Sequence, residues 1–431
     1  MAVSVVILAA GAGTRMKSTT PKVLHTLSGR PLIDYAVMAA QAVSDDIQVV
    51  LYHEADRVEQ HLSAVFNNLT LLRQDHANFP GTGGAIMAAR PKYGKVVVLN
   101  GDMPLVTADF VQKLAETSEA VTLSTFEHPN PAGYGRVILD GDRVVAIVEE
   151  KDATEAQKRV QTVNAGVYAF ERSFLESALP LLSNQNAQKE YYITDLIGFA
   201  AAEGKSVGAV SGDRAMLMGV NSKAELAEAE TLHQRRIKTE WMKSGVIMRL
   251  PETIFIDSRA VFEGECELEP GVVIKGACKI VRSSIKAHSI IEDSALTDSD
   301  AGPMARIRPQ SELSGTHIGN FVEVKKSKLT GVKAGHLSYL GDATIDEGTN
   351  VGAGTITCNY DGKGKHQTII GKNVFIGSDT QLVAPVNIPD NVLIAAGTTV
   401  TKNPQSGDLV LSRTPQKSVA GFFERFFGKK A

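Results

Sequence analysis

Two patterns of apolar positions divide the chain. In the first half, short apolar runs alternate with stretches of helical spacing. Val3-Ser-Val-Val-Ile-Leu8 predicts a buried strand, and further strands are predicted at Gln48–Leu51, Val96–Leu99 and Val121–Thr125. Strands separated by helical stretches argue for an α/β domain with a largely parallel sheet. Ligands of such sheets gather beyond the carboxyl ends of the strands. Ala9-Ala-Gly-Ala-Gly-Thr-Arg15 follows one strand and Gly101-Asp102 follows another. After Val220-Asn221, Ser222-Lys-Ala-Glu225 has the form of a capping box, and Leu226, Leu232, Ile237 and Trp241 punctuate a helix that Gly245 can close. This helix is expected to link two domains.

The second pattern has a period of six. Ile370, Ile376, Leu382, Ile388, Ile394 and Val400 recur at that spacing, with fainter copies at Ile274 and Ile280, Ile307 and Leu313, Ile318 and Val324, and Ile345 and Val351. Gly, Asp or Asn follow within a few positions, as in Ile345-Asp-Glu-Gly and Ile370-Gly-Lys-Asn. A period of six is neither helical nor simple alternation. Three such units make one triangular coil whose aliphatic fills a narrow interior and whose face is buried only by the next coil. The competing architecture for this half is a β-sandwich of short strands. Residues 357–369 break the register and are expected to form a loop.

Composition changes at the same place. Residues 1–250 hold 18 glycines and residues 251–431 hold 20, while only six aromatics fall between 251 and 420. Aromatics do not fit inside so thin a prism, which accounts for their scarcity. The whole chain has 431 residues, enough for two or three domains. Its 45 Lys and Arg against 48 Asp and Glu leave a net charge of -3. No global basic field exists to gather nucleic acid or an anionic membrane, so phosphate ligands must be met by local groups. No apolar run approaches a membrane span and no signal peptide is evident, so a cytoplasmic protein is expected. Cys266, Cys278 and Cys358 are scattered without metal-like spacing and are expected to be free thiols. The tail Gly421-Phe-Phe-Glu-Arg-Phe-Phe-Gly-Lys-Lys-Ala431 is aromatic and basic, and is expected to be a subunit contact or a frayed end rather than a membrane helix.

The glycine loop carries the first chemistry. Gly11-Ala-Gly13 has Met16 where a dinucleotide fingerprint would need a third glycine. With Pro21-Lys22 close by, it reads instead as a nucleoside triphosphate loop: glycines expose backbone N–H groups, and Arg15 and Lys22 add charge-assisted contacts to phosphate.

Leu8-Ala-Ala-Gly-Ala-Gly-Thr-Arg-Met16, Pro21-Lys22-Val-Leu-His, Asn164-Ala-Gly-Val-Tyr, Glu190-Tyr-Tyr-Ile-Thr-Asp195 and Gly219-Val-Asn221 resemble the signature of sugar-phosphate nucleotidyltransferases. The second half adds Gly319-Asn-Phe-Val-Glu-Val-Lys-Lys326, Ala334-Gly-His-Leu-Ser-Tyr-Leu-Gly-Asp342 and Gly352-Ala-Gly-Thr-Ile-Thr-Cys-Asn-Tyr-Asp-Gly362. Together, over nearly the whole chain, they resemble the bacterial family of bifunctional N-acetylglucosamine-1-phosphate uridylyltransferases / glucosamine-1-phosphate N-acetyltransferases. The resemblance implies a Rossmann-like nucleotidyltransferase domain over 1–221, a linker helix over 222–245, a left-handed parallel β-helix of hexapeptide repeats over 246–420 and a tail over 421–431. It also implies a homotrimer with acetyltransferase sites between subunits. The alternative function is a monofunctional sugar-phosphate nucleotidyltransferase whose β-helix is structural or regulatory.

Site residues follow by motif. The resemblance implies that Leu8, Ala9, Ala10, Gly11, Lys22, Gly81 and Thr82 meet UTP, to which the glycine-loop reading adds Arg15, and that Gly135, Glu149, Asn164 and Asn221 hold the N-acetylglucosamine phosphate. Asp102 and Asn221 are implied as ligands of Mg2+. The uracil-reading glutamine of the family stands five residues before the glycine of Gly81-Thr-Gly83, where this chain has His76; Gln74 stands seven before and is taken as the reader. In the other half Arg308, Lys325, Tyr339 and Asn350 are implied for glucosamine-1-phosphate, and Ala353, Asn359, Tyr360, Ser378, Ala396 and Arg413 for acetyl-CoA. His336 is the candidate general base, since an amine must lose a proton to attack a thioester and an imidazole ordinarily titrates near 6.5. Glu323 is a further candidate for orienting the base or the amine.

Overall fold

A computed structural model describes residues 2–141 and 143–428. Contacts divide it into two compact units, with the division between Gln234 and Arg235. That division falls within the helix Lys223–Lys243.

The first unit is built on a nine-stranded sheet. Across it run Val207–Ser211, Val121–Glu127, Thr162–Glu171, Lys95–Asn100, Val3–Ala9, Asp46–Leu51 and Thr70–Arg73, with the hairpin Arg136–Asp140 and Arg143–Val148 off this path. Val3–Ala9 is buried at every position and lies parallel to both neighbours, which is why it reads as an unbroken apolar run. Thr162–Glu171 is antiparallel to Lys95–Asn100 and Val121–Glu127, and its register shifts between Asn164 and Tyr168. Ser222 caps the helix Lys223–Lys243: its Oγ accepts the Glu225 N–H at 3.2 Å, and Glu225 Oε2 accepts the Asn221 N–H at 2.8 Å.

The second unit is a parallel β-helix of three stacked parallel sheets with ten, nine and eight strands. The six-residue repeat becomes a ladder. Ile370 opposes Ile388, Ile376 opposes Ile394 and Leu382 opposes Val400, each pair 18 positions apart, or three hexads. The sandwich alternative is excluded by this pairing. Earlier coils are shorter: Ile274 opposes Ile291 after 17 positions and Ile280 opposes Leu296 after 16. Such contracted corners explain why the hexads there are faint in sequence. Between Ile345 and Ile370 the step is 25, so the loop over 357–369 adds seven residues to an 18-residue coil.

The hydrophobic interior is aliphatic apart from Cys266, Cys278 and one aromatic. Phe262 belongs to the core of the β-helix and meets Trp241 edge-on with ring centroids 5.1 Å apart. Aromatics are thus accommodated at the end of the prism, where a helix rather than another coil covers it. The tail forms a short helix, Phe422–Phe427, whose phenylalanines are exposed. The remainder of the expected tail, residues 429–431, lies outside the described residues. Among the described residues no helix is long and apolar enough to cross a membrane, and Cys266, Cys278 and Cys358 are free thiols.

Candidate functional sites

In the first unit, a cavity of about 730 Å³ opens at the carboxyl ends of Val3–Ala9 and Lys95–Asn100. Leu8, Ala9, Ala10, Gly11, Lys22, Gln74, Gly81, Thr82, Asp102, Gly135, Glu149, Asn164 and Asn221 all line it. These thirteen residues come from segments spread over more than two hundred positions. Arg15 is not among the lining; the structure places it, exposed, in the turn Thr14–Met16.

Local geometry explains several of these placements. Gly13 has φ +60°, and a Cβ there would stand 2.6 Å from the Lys22 Cβ, so glycine lets the lysine stem pass beneath the loop. The Gly101 N–H donates to the Leu8 carbonyl at 2.9 Å, fixing the two strand-end loops side by side. The Val220 N–H donates to the Asp102 carbonyl at 2.9 Å and so brings Asn221 to Asp102. The Lys22 ammonium pairs with Asp102 and donates to Asn221 Oδ1 at 3.1 Å. A carboxylate and an amide oxygen therefore converge on one cation, the hard-donor set that Mg2+ accepts while keeping waters and phosphate oxygens.

On the opposite wall, Asn164 N–H donates to the Gly135 carbonyl at 2.9 Å, and a Cβ on Gly135 would reach within 3.5 Å of the Glu149 carboxylate. Burial pushes the Glu149 carboxyl above its ordinary range, opposed by a hydrogen bond from Thr194 Oγ1 at 3.1 Å. Thr194 belongs to the Glu190–Asp195 motif. The same motif braces the glycine helix: the Tyr191 carbonyl accepts from the Gly83 N–H at 2.7 Å, and the Tyr191 N–H donates to the Pro80 carbonyl at 2.8 Å.

The two candidates for reading uracil are held differently. Gln74 is buried, and its Nε2 donates to the carbonyls of Phe79 and Gly81 at 2.8 and 2.9 Å. Its Oε1 accepts no hydrogen bond among the described residues. His76 stacks on Tyr52 with centroids 4.2 Å apart and planes 4° from parallel. The lining also includes Asn100, Tyr134 and Tyr52, which motif reasoning missed. Asn100 had a signal, since it stands between the predicted strand Val96–Leu99 and Gly101-Asp102; Tyr134 and Tyr52 had none.

In the second unit, one corner of the prism repeats in register. Asn320 pairs with His336, and successive turns are tied by the Leu337 N–H to Asn320, Gly354 N–H to Leu337, Asp379 N–H to Ala353 and Gly397 N–H to Ser378 carbonyls. Two residues beyond the register pairs Ala334–Val351, Val351–Ile376 and Ile376–Ile394, His336, Ala353, Ser378 and Ala396 occupy equivalent positions on successive turns. Glycines precede Asn320, Ala353 and Ser378, and the next turn overlies each closely: a Cβ on Gly319 would lie 1.9 Å from the Gly335 carbonyl oxygen, and one on Gly352 2.6 Å from the Gly377 carbonyl carbon. Each following residue, Leu337, Gly354, Asp379 and Gly397, has positive φ.

Beside this corner, an adjoining face carries the cations. Arg308 opposes Lys325, and Glu323 opposes Tyr339, on neighbouring strands. Arg308 Nη1 donates to Glu323 Oε1 at 2.8 Å, so Glu323 is engaged with the arginine and not with His336. Gly341 leaves room for the Tyr339 ring, whose hydroxyl would stand 2.4 Å from a Cβ there. Asn359 is buried, bonded to Asp342 and 3.4 Å from the Tyr339 hydroxyl. Tyr360 and Lys365 pair across the inserted loop, with the ammonium 4.3 Å from the ring centre. Asn350 lies on the strand that pairs with Lys333, one coil beyond His336. His336 is exposed, and its ring makes no hydrogen bond among the described residues. Arg413 is exposed as well.

Comparison with known proteins now adds the lineage. Residues 5–163 match a family model described as MobA-like NTP transferase domain, and residues 367–402 match one described as hexapeptide repeat of succinyl-transferase. The Bifunctional protein GlmU of a Sulfurovum species is 58% identical over 430 residues, covering 100% of both chains. Those of Aliarcobacter butzleri and a Nitratiruptor species are each 57% identical, over 99% and 100% of both chains. The chain belongs to the GlmU family. A solved structure, that of the inositol-1-phosphate CTP transferase from T. maritima, covers 53% of this chain and 94% of its own at 16% identity with a TM-score of 0.43. As a GlmU-family member the protein is a bifunctional transferase of UDP-N-acetylglucosamine synthesis, with uridylyltransferase and acetyltransferase activities. Its fold is that expected: a Rossmann-like nucleotidyltransferase domain followed by a left-handed hexapeptide β-helix. The full-length likeness disfavours the monofunctional alternative.

Proposed function

We propose that the cavity of the first unit carries uridylyl transfer and the His336 corner of the second carries acetyl transfer. The observation that bears most weight is the stacking of His336, Ala353, Ser378 and Ala396 on successive turns. Small side chains on a straight edge suit an extended ligand, so the acyl carrier lies along the edge with its thioester end at His336 and Arg413 beyond Ala396.

For acetyl transfer, Arg308 and Lys325 clamp the sugar phosphate and Tyr339 and Asn350 position the ring. The amine of glucosamine-1-phosphate attacks the thioester carbonyl, His336 takes the ammonium proton, and the carbon–sulfur bond breaks to release CoA. Asn359, Tyr360 and their loop lie beside the acyl group, where backbone N–H groups can receive the developing oxyanion.

For uridylyl transfer no protein nucleophile is needed. A phosphate oxygen of N-acetylglucosamine-1-phosphate attacks the α-phosphorus of UTP in line, and pyrophosphate leaves. Leu8 to Gly11 present backbone to the triphosphate, Lys22 and Arg15 bring charge, and Gly81 and Thr82 border the nucleoside. Gln74 Oε1 is the free acceptor that a uracil N3–H requires. Gly135, Glu149, Asn164 and Asn221 hold the sugar phosphate. Asp102 and Asn221 would hold Mg2+, which neutralises charge gathering on phosphate oxygens when bound.

The reading includes a cytoplasmic homotrimer assembled through the β-helix, with small-molecule substrates as its partners. The test is direct: protein given acetyl-CoA, glucosamine-1-phosphate, UTP and Mg2+ is expected to release both free CoA and pyrophosphate. Pyrophosphate formed only from N-acetylglucosamine-1-phosphate, with no CoA released, would contradict the acetyl-transfer assignment.

A further inference from the structure

Lys22 plays a part in the nucleotide site beyond meeting phosphate. Its ammonium is held by both residues assigned to the cation, pairing with the Asp102 carboxylate and donating to Asn221 Oδ1 at 3.1 Å. The Lys22 and Asp102 side chains are only 12% and 15% exposed, so solvent screens the pair weakly. The lysine is not there by accident of a long flexible chain. Its stem is fixed against Gly13, where a Cβ would stand 2.6 Å from the Lys22 Cβ, and its backbone is set in the turn Lys22–Leu24. Asp102 is equally fixed, through the bond from the Val220 N–H to its carbonyl. A single positive charge thus sits on the donor oxygens that a divalent cation would need.

We propose that Lys22 is a built-in placeholder that competes with the divalent cation for Asp102 and Asn221 until phosphate draws the ammonium away. The proposal rests on the reading of Asp102 and Asn221 as cation ligands. An ammonium already held on Asp102 and Asn221 Oδ1 repels a divalent cation approaching the same donors, so the protein without nucleotide keeps its cation affinity low. A triphosphate offers Lys22 a second anionic partner. The ammonium then leaves both oxygens, and cation and nucleotide enter together. The lysine also neutralises the Asp102 carboxylate in the empty protein, so the cavity does not carry an unpaired buried charge.

Mn2+ binding to the nucleotide-free protein, followed by loss of the paramagnetic resonance signal of the free ion, tests this. Lys22→Met and Lys22→Gln are each expected to bind Mn2+ at least about tenfold more tightly than the unaltered protein, whereas Lys22→Arg, which keeps the charge, binds as weakly. Adding Asp102→Asn to Lys22→Met is expected to abolish the gain. Equal or weaker binding by both neutral variants would overturn the placeholder role. A Lys22→Met/Asp102→Asn protein that binds as tightly as Lys22→Met would instead overturn the assignment of Asp102 to the cation.

Discussion

At the scale of single residues, the nucleotide cavity is defined by what glycines permit and what burial does to carboxyls. Gln74 connects the two concerns. Its amide donates to the Phe79 and Gly81 carbonyls, leaving Oε1 as acceptor. Gln74→Ala removes both the brace and the acceptor, and the UTP KM is expected to rise at least about tenfold, the cost of one to two hydrogen bonds; an unchanged KM would assign the base to His76. Glu149 gives a prediction in pH. Burial, the dominant cause, raises its folded carboxyl above the ordinary value near 4.5, against the Thr194 hydrogen bond. The folded state then holds more protons than the unfolded one, so stability falls as pH rises from about 4.5 through the folded value and levels off above it. Glu149→Gln removes this dependence. The unfolding midpoint of the variant is expected to gain on the unaltered protein across that window, and a constant offset between the two would contradict it.

At the scale of elements, legibility depended on how far a repeat or motif is carried by local chain. The buried strand Val3–Ala9 announced itself because both its faces are covered. The strand Thr162–Glu171 did not, since its register shifts after Asn164 and polar residues of the site interrupt its apolar pattern. The last three hexad pairs were plain at 18 residues per coil, whereas coils of 16 and 17 contract at their corners and blur the period. Motif likeness brought the acetyl-site residues together, yet their common corner was not readable: it emerges only once turns of unequal length are stacked. Glu323 was likewise unreadable, because its partner Arg308 is a neighbour on the preceding coil. The corner makes its own prediction. A Cβ on Gly319 would stand 1.9 Å from the Gly335 carbonyl oxygen, a backbone atom that cannot yield without separating the turns. Gly319→Ala is expected to destabilise the β-helix by about 1–3 kcal/mol and to displace His336, lowering acetyl transfer while uridylyl transfer persists. Unchanged denaturant unfolding and an unchanged acetylation rate would show that the corner tolerates separation.

At the scale of the whole molecule, one chain carries two chemistries, and three chains are expected to work together. Light scattering is expected to return three times the mass of the 431-residue chain; a monomer with full acetyltransferase activity would contradict sites shared between subunits. The near-neutral charge, -3 overall, fits the proposal that small phosphorylated ligands are met locally by Arg308, Lys325 and Lys22. The division of labour between the two units is open to test with a single variant. His336→Ala, assayed for CoA release from acetyl-CoA with glucosamine-1-phosphate and separately for pyrophosphate release from UTP with N-acetylglucosamine-1-phosphate, is expected to lose the first activity by at least about a hundredfold, as removal of a general base does, and to keep the second. Loss of both activities, or of neither, would contradict the account.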